Sequence, residues 1–126
     1  MLEEKNKTYD LEERTFLFAQ AIRKFIKLLP RTVSNNEDCK QLVRASASIG
    51  ANYIEANESL GIKDFRMHIK ISRKESKESR FFLRLVDTDG KENLEKERGV
   101  LIQEATELML IFGSILRKSE APKESV

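Results

Sequence analysis

Between Lys63 and Val86 six cations, Arg66, Lys70, Arg73, Lys77, Arg80 and Arg84, recur at alternating steps of four and three residues. Side chains so spaced share one face of an α-helix. They form a basic stripe about 27 Å long at the helical rise per residue. Such a stripe can follow a phosphate backbone, each neutralised phosphate adding affinity that falls as salt rises. The segment holds eight basic and three acidic residues, a local net of +5 in a chain whose formal total is +2. The plainer reading is a solvated helix face with intrahelical ion pairs, some of them through Glu75.

A second group could do chemistry of another kind. Asn52 and Glu55, with Glu75 and Glu78, flank the apolar stripes of two successive helical segments. Paired carboxylates inside a helical bundle can hold two irons, but that chemistry wants a Glu-x-x-His on each of two helices. This chain has one histidine, His68, so no metal and no cofactor is expected. The expectation is a structural polar core in which these acids are hydrogen-bonded and fix helix register; a functional pocket is the alternative. Cys39, the single cysteine, falls in a core register and reads as an inert, buried thiol. There is no Gly-rich phosphate loop, nucleophile elbow or zinc-finger spacing. Catalysis has no constellation to rest on, and the chain reads as a non-enzyme.

Four helices are needed to position these groups, at about residues 10–29, 36–60, 63–88 and 91–117. Asp10 with Glu13 gives the first a capping-box start, and Pro30 stops it; its core stripe is Leu11, Phe18, Ile22, Phe25 and Leu29. The second follows a polar loop at Ser34, Asn35 and Asn36, and Gly61 suits the left-handed conformation after its end. Its stripe runs Cys39, Leu42, Ser46, Ile49, Tyr53, Ala56, Leu60, crowded by small residues that let a neighbour approach closely. The third carries Phe65, Ile69, Ser72, Ser76, Ser79, Leu83 and Val86; the fourth carries Leu94, Leu101, Ala105, Leu108, Phe112 and Ile115, with Gly99 marking a place for a bend. The ends, 1–8 and 118–126, read as frayed. Four amphipathic helices with short loops bury their stripes against one another in an antiparallel up-down-up-down bundle, one all-α domain.

Phe16, Met67 and Phe81 fall off the core faces by these periodicities, as subunit contacts or as ordinary exposed residues. The length of 126 residues suits one domain. The polar opening MLEEKNKTYD is no secretory signal, no run approaches a membrane span, and a lone cysteine suggests no oxidising compartment. A cytoplasmic location without membrane contact follows as an expectation.

Three stretches, DLEERTFLFAQAI (10–22), SASIGANYIEANES (46–59) and KDFRMHIKISRKESKESRFFLRLV (63–86), resemble the four-helix-bundle family of rRNA intervening-sequence proteins. The most specific pieces are Ser48 to Ala56, Lys63 to Phe65 and Lys74 to Ser79. The chain departs from the family in having Ser72 and Ser76 where alanines are usual, and Phe81 and Phe82 where the aromatic pair often includes tryptophan. Members take their name from reading frames inside insertions in bacterial large-subunit rRNA genes. The resemblance implies a ring-shaped homopentamer, no enzymatic activity, and kinship with a nucleic-acid-binding accessory of retroelement reverse transcriptases. Two functions follow as expectations: RNA or DNA binding through the stripe, helped by Arg23, Lys24, Lys27 and Arg31, or a scaffold for a protein partner without nucleic acid.

Overall fold

The first helix begins where the sequence places it. Asp10, in extended conformation, accepts a hydrogen bond from the Glu13 amide at 2.8 Å, satisfying one of the amides a helix start leaves free. A computed structural model describes residues 10–120, all-α, with four helices and no strand among them: α1 Leu11–Ile26, α2 Val33–Asn57, α3 Ile62–Leu85 and α4 Glu92–Lys118. The expected frayed ends fall mostly outside the described residues.

Four boundaries differ from expectation by three residues. α3 ends at Leu85 rather than 88, because Val86 turns extended at φ −60° and ψ 147°; the other three have local reasons of their own. α1 ends at Ile26, and the chain reaches Pro30 through tighter turns, Leu28 N–H to Phe25 C=O and Leu29 N–H to Ile26 C=O. Leu29 still enters the core. Ser34, Asn35 and Asn36 are not a loop but the first turn of α2, because Thr32 caps it, its hydroxyl accepting from the Asn35 amide at 3.1 Å. α2 ends at Asn57, so Leu60 leaves the core register and stands fully in solvent. Gly61 does not close α2 in the left-handed region; at φ −139° and ψ 163° it is the extended residue before α3. Among the described residues the left-handed ones are Asp89 and Gly90, φ 58° and 69°, in the turn before α4. α4 runs through Gly99 as one helix.

α2 packs on α1 and α3, and α4 packs on α3 and α1, while the backbones of α1 and α3 make no close approach. Ile22, Phe25, Leu42, Ile49, Ile69, Leu83, Leu108 and Phe112 are the core, each essentially without exposed surface. Tyr53 and Phe112 meet as tilted rings with centroids 5.7 Å apart. Small residues let α1 and α2 come very close: a Cβ built on Gly50 would lie 2.7 Å from Thr15 Oγ1. The Ser72 hydroxyl donates to the Ile49 carbonyl at 2.9 Å, tying α3 to α2.

Side chains close the remaining ends. Asn35, 1% exposed, donates through Nδ2 to the Pro30 and Asp87 carbonyls, both at 2.9 Å, and accepts from the Asp87 amide at 2.8 Å. Arg98 donates to the Val86 and Leu83 carbonyls at the end of α3 while pairing with Glu95, which also takes the Thr88 hydroxyl. Arg14 joins α1 to α4 through Glu104 and Glu107, each at 2.8 Å.

The expectation that no segment approaches a membrane span needs correction. α4 is long and apolar enough to cross a membrane by length and composition. Its apolar face, with Leu101, Leu108, Phe112 and Leu116, is buried in the bundle.

Candidate nucleic-acid interface

The cations of α3 fall into two interleaved rows, each stepping by seven. Lys70, Lys77 and Arg84 are exposed; Arg66, Arg73 and Arg80 are half-buried. Only the first row has the free outward position expected of the whole stripe. Arg66 is the clearest correction. Its Nη1 donates to the Leu116 carbonyl at 3.1 Å and to Ser119 Oγ at 2.8 Å, so this guanidinium serves the C-terminal end of α4.

Arg73 leans toward α4 instead. Its Cδ lies 3.8 Å from the place a Cβ on Gly113 would occupy, and Arg117 Nη1 lies 3.5 Å from the same point. A groove of about 540 Å³ opens there between α3 and α4. Its walls are Lys70, Arg73, Lys74 and Lys77 on one side and Arg117 on the other, over Met109, Leu110 and Gly113. None of these five cations is ion-paired to a described carboxylate. A cleft lined by one sign of charge focuses its field on an approaching anion. A neighbouring groove, about 510 Å³, shares Lys70 and is lined by Lys63, Asp64, Arg66 and Met67.

Lys74 and Arg117 were outside the stripe read from sequence. Lys74 lies one step around α3 from Arg73; Arg117 comes from another helix, and only its spacing of four from Gly113 hinted at it. Lys27, just past the end of α1, lines a separate groove of about 720 Å³ with Arg31, Lys40 and Glu37, the last paired with Lys40 at 3.3 Å. No residue lines both this groove and the one between α3 and α4, so the second patch does not lengthen the first.

Phe16, Met67 and Phe81 are exposed at 55%, 48% and 53%. Phe16 borders a groove of about 500 Å³ between α1 and α2, with Ala19, Ala47, Gly50, Ala51 and Ile54. Met67 lines the smaller basic groove, and Phe81 packs edge-on against Phe82 at 5.2 Å between ring centroids.

The expected polar core is only partly assembled. Glu55 is exposed, because it lies about 100° around α2 from the buried Ala56. Glu78 and Asn52 are half-buried, and only Glu75 is buried. Asn52 donates through Nδ2 to the Ser48 carbonyl and hydroxyl, both at 3.0 Å, which leaves its Oδ1 facing His68 Nδ1 at 3.0 Å. His68 is therefore the donor in that contact. Asp64 lies 3.7 Å from its Nε2. This link between α2 and α3 uses His68 and Ser48, neither of which had been grouped with Asn52. Among the described residues no three His, Cys, Asp or Glu side chains come together as a metal site. Cys39 is half-buried rather than buried, and burial, aided by Asp38, pushes its thiol pKa up.

Among the described residues Glu75 has no ion-pair partner. Its Oε1 and the Ser79 hydroxyl, one turn on, are buried without a hydrogen-bond partner among the described residues. Burial first, and then the nearby Glu78, raise its pKa, with Lys74 and Arg44 opposing. A carboxyl whose pKa is raised by folding contributes most stability below the ordinary carboxylate range. It loses that contribution as pH rises through its folded value. Glu75→Gln will therefore melt higher than the parent at neutral pH, and the difference will shrink in acid; equal melting points at neutral pH would contradict this.

The class that fold and site define is an all-helical bundle with a basic groove that no described carboxylate neutralises. The comparison with family models makes this specific: residues 7–112 match the 23S rRNA-intervening sequence protein family, and the chain belongs to that family. A crystal structure of a protein of unknown function from the S23 ribosomal protein family, from Bacteroides thetaiotaomicron, is similar at TM-score 0.70 and 25% identity. The match covers 84% of this chain and 97% of that one. No curated protein matches.

Proposed function

We propose that this protein is a non-enzymatic, cytoplasmic bundle that binds nucleic acid through the α3 face, working as an up-down-up-down unit in a ring-shaped homopentamer. The observation that carries the binding is the row of Lys70, Lys77 and Arg84, exposed and without a described carboxylate partner, beside the basic groove. The antiparallel arrangement draws support from Arg66 reaching the last turn of α4 and Arg98 reaching the last turn of α3. Exposed Phe16, Met67 and Phe81 support subunit contacts, and a ring would repeat a weak site around one particle. The pentamer itself rests on family resemblance.

The triple variant Lys70→Glu, Lys77→Glu, Arg84→Glu tests the binding. Its affinity for labelled RNA or DNA will fall at low salt, and its salt slope will shrink by roughly 2 to 3, as expected for three lost phosphate contacts. Unchanged affinity and slope would remove this face from the interface. A second reading, a scaffold for protein partners without nucleic acid, is favoured by the same exposed apolar residues; it predicts tight protein complexes indifferent to this variant.

A further inference from the structure

We infer that the groove between α3 and α4 seats a single-stranded polynucleotide, held by its phosphates, and that Arg117 and Lys74 are binding residues alongside the α3 stripe. The inference rests on the nucleic-acid reading above and adds what form of ligand fits.

Width is the first reason. Packed helices lie roughly 8–10 Å apart, and a cleft between two of them is far too narrow for a duplex to enter. Nor can α3 enter a duplex. A helix that reads a major groove has to protrude, whereas α3 is flanked by α2 on one side and α4 on the other. A duplex would touch only the projecting row and leave the cleft unfilled.

The lining is the second reason. The cations stand above an apolar floor of Met109 and Leu110, the latter 61% exposed, and of Gly113, which has no side chain to fill the space. A duplex keeps its bases stacked inside and gives such a floor nothing to cover it. A single strand places sugars and base edges against the floor while its phosphates face the walls. Arg117 Nη1 and Arg73 Cδ both lie within 4 Å of the point a Gly113 Cβ would occupy, so a phosphate seated over Gly113 meets positive charge from both helices.

The lining also sets what is not read. It contains no aromatic ring on which a base could stack and no carboxylate or amide to read a base edge or accept from a 2′-hydroxyl. With the groove's lysines and arginines taken up by phosphates rather than by guanine edges or 2′-hydroxyls, single strands of different sequence, RNA and DNA, are expected to bind alike.

The test measures fluorescence anisotropy of labelled oligonucleotides of about 12 nucleotides, single-stranded RNA, single-stranded DNA and a duplex of the same length, across a salt series. The proteins are the parent, Arg117→Glu and Gly113→Met, with melting curves to check folding. Arg117→Glu is the safer variant because Arg117 is exposed. The expected result is that both single strands bind alike and better than the duplex. Arg117→Glu then weakens single-strand binding about tenfold and reduces its salt slope by roughly 0.7, leaving the duplex unaffected; Gly113→Met blocks the single strand. Duplex binding that equals or exceeds single-strand binding, or single-strand binding unmoved by Arg117→Glu, overturns this inference and leaves the nucleic-acid reading standing. No binding of any of the three at low salt overturns both.

Discussion

Asn35→Ala will destabilise the bundle by about 2–4 kcal/mol, at roughly 1 kcal/mol for each of its three hydrogen bonds. The side chain makes three bonds at 2.8 to 2.9 Å while 1% exposed. Its loss removes the side-chain partner of the Asp87 amide and of the Pro30 and Asp87 carbonyls. Asn35→Asp sharpens the test: an ionised carboxylate can still accept from the Asp87 amide but turns an oxygen toward two carbonyls. Both variants should lower the urea midpoint, with the slope of the transition unchanged. A change of less than about 0.5 kcal/mol, typical of surface substitutions, would show that Asn35 does not hold the two turns together.

Gly50→Ala will destabilise by about 1–3 kcal/mol, the usual cost of inserting a methyl group into a packed interface. The intrinsic preference runs the other way, since alanine favours a helix over glycine by about 1 kcal/mol. Distance decides the sign. The new Cβ would lie 2.7 Å from Thr15 Oγ1 and 3.2 Å from Thr15 Cβ. The hydroxyl cannot turn away without cost, because it donates within its own helix to the Leu11 and Glu12 carbonyls at 2.9 and 3.0 Å. Thr15→Ala in the same chain will recover part of the loss, so a double-mutant cycle by thermal or urea unfolding should give a favourable coupling between the two sites. Strict additivity would mean that α1 and α2 separate freely.

Periodicity made most of this fold legible. Ile22, Phe25, Leu42, Ile49, Leu83, Leu108 and Phe112 repeat at helical spacing and are the residues found in the core. Asp10 announced the first helix through a cap contained within four residues. Errors arose where the deciding partner was not local. Ser34, Asn35 and Asn36 have turn-forming side chains, yet Thr32 supplies a cap and Asn35 a bond to a carbonyl fifty-two positions away, and together they make the segment helical. Leu60 continued the spacing of α2 by arithmetic after the backbone had left the helix.

The candidate site was legible to the extent that it lies on one helix. The α3 row followed from spacing, but which cations would be free depended on how α4 lies against it. Arg66 could not be removed from the row without the Leu116 carbonyl, nor Arg117 added without Gly113. Glu55 and Glu75 have the same chemistry and similar places beside a core stripe; one turned out exposed and the other buried, a difference set by neighbouring helices.

The separation of the α3 cations into a half-buried row and a projecting row has an evolutionary consequence. Lys70, Lys77 and Arg84 can drift to other charges with little penalty to folding, whereas Arg66, which serves α4, is under constraint from the architecture itself. A lineage built on this bundle is free to exchange ligands by editing its outer row, so those three positions should record selection by the partner while Arg66 records descent.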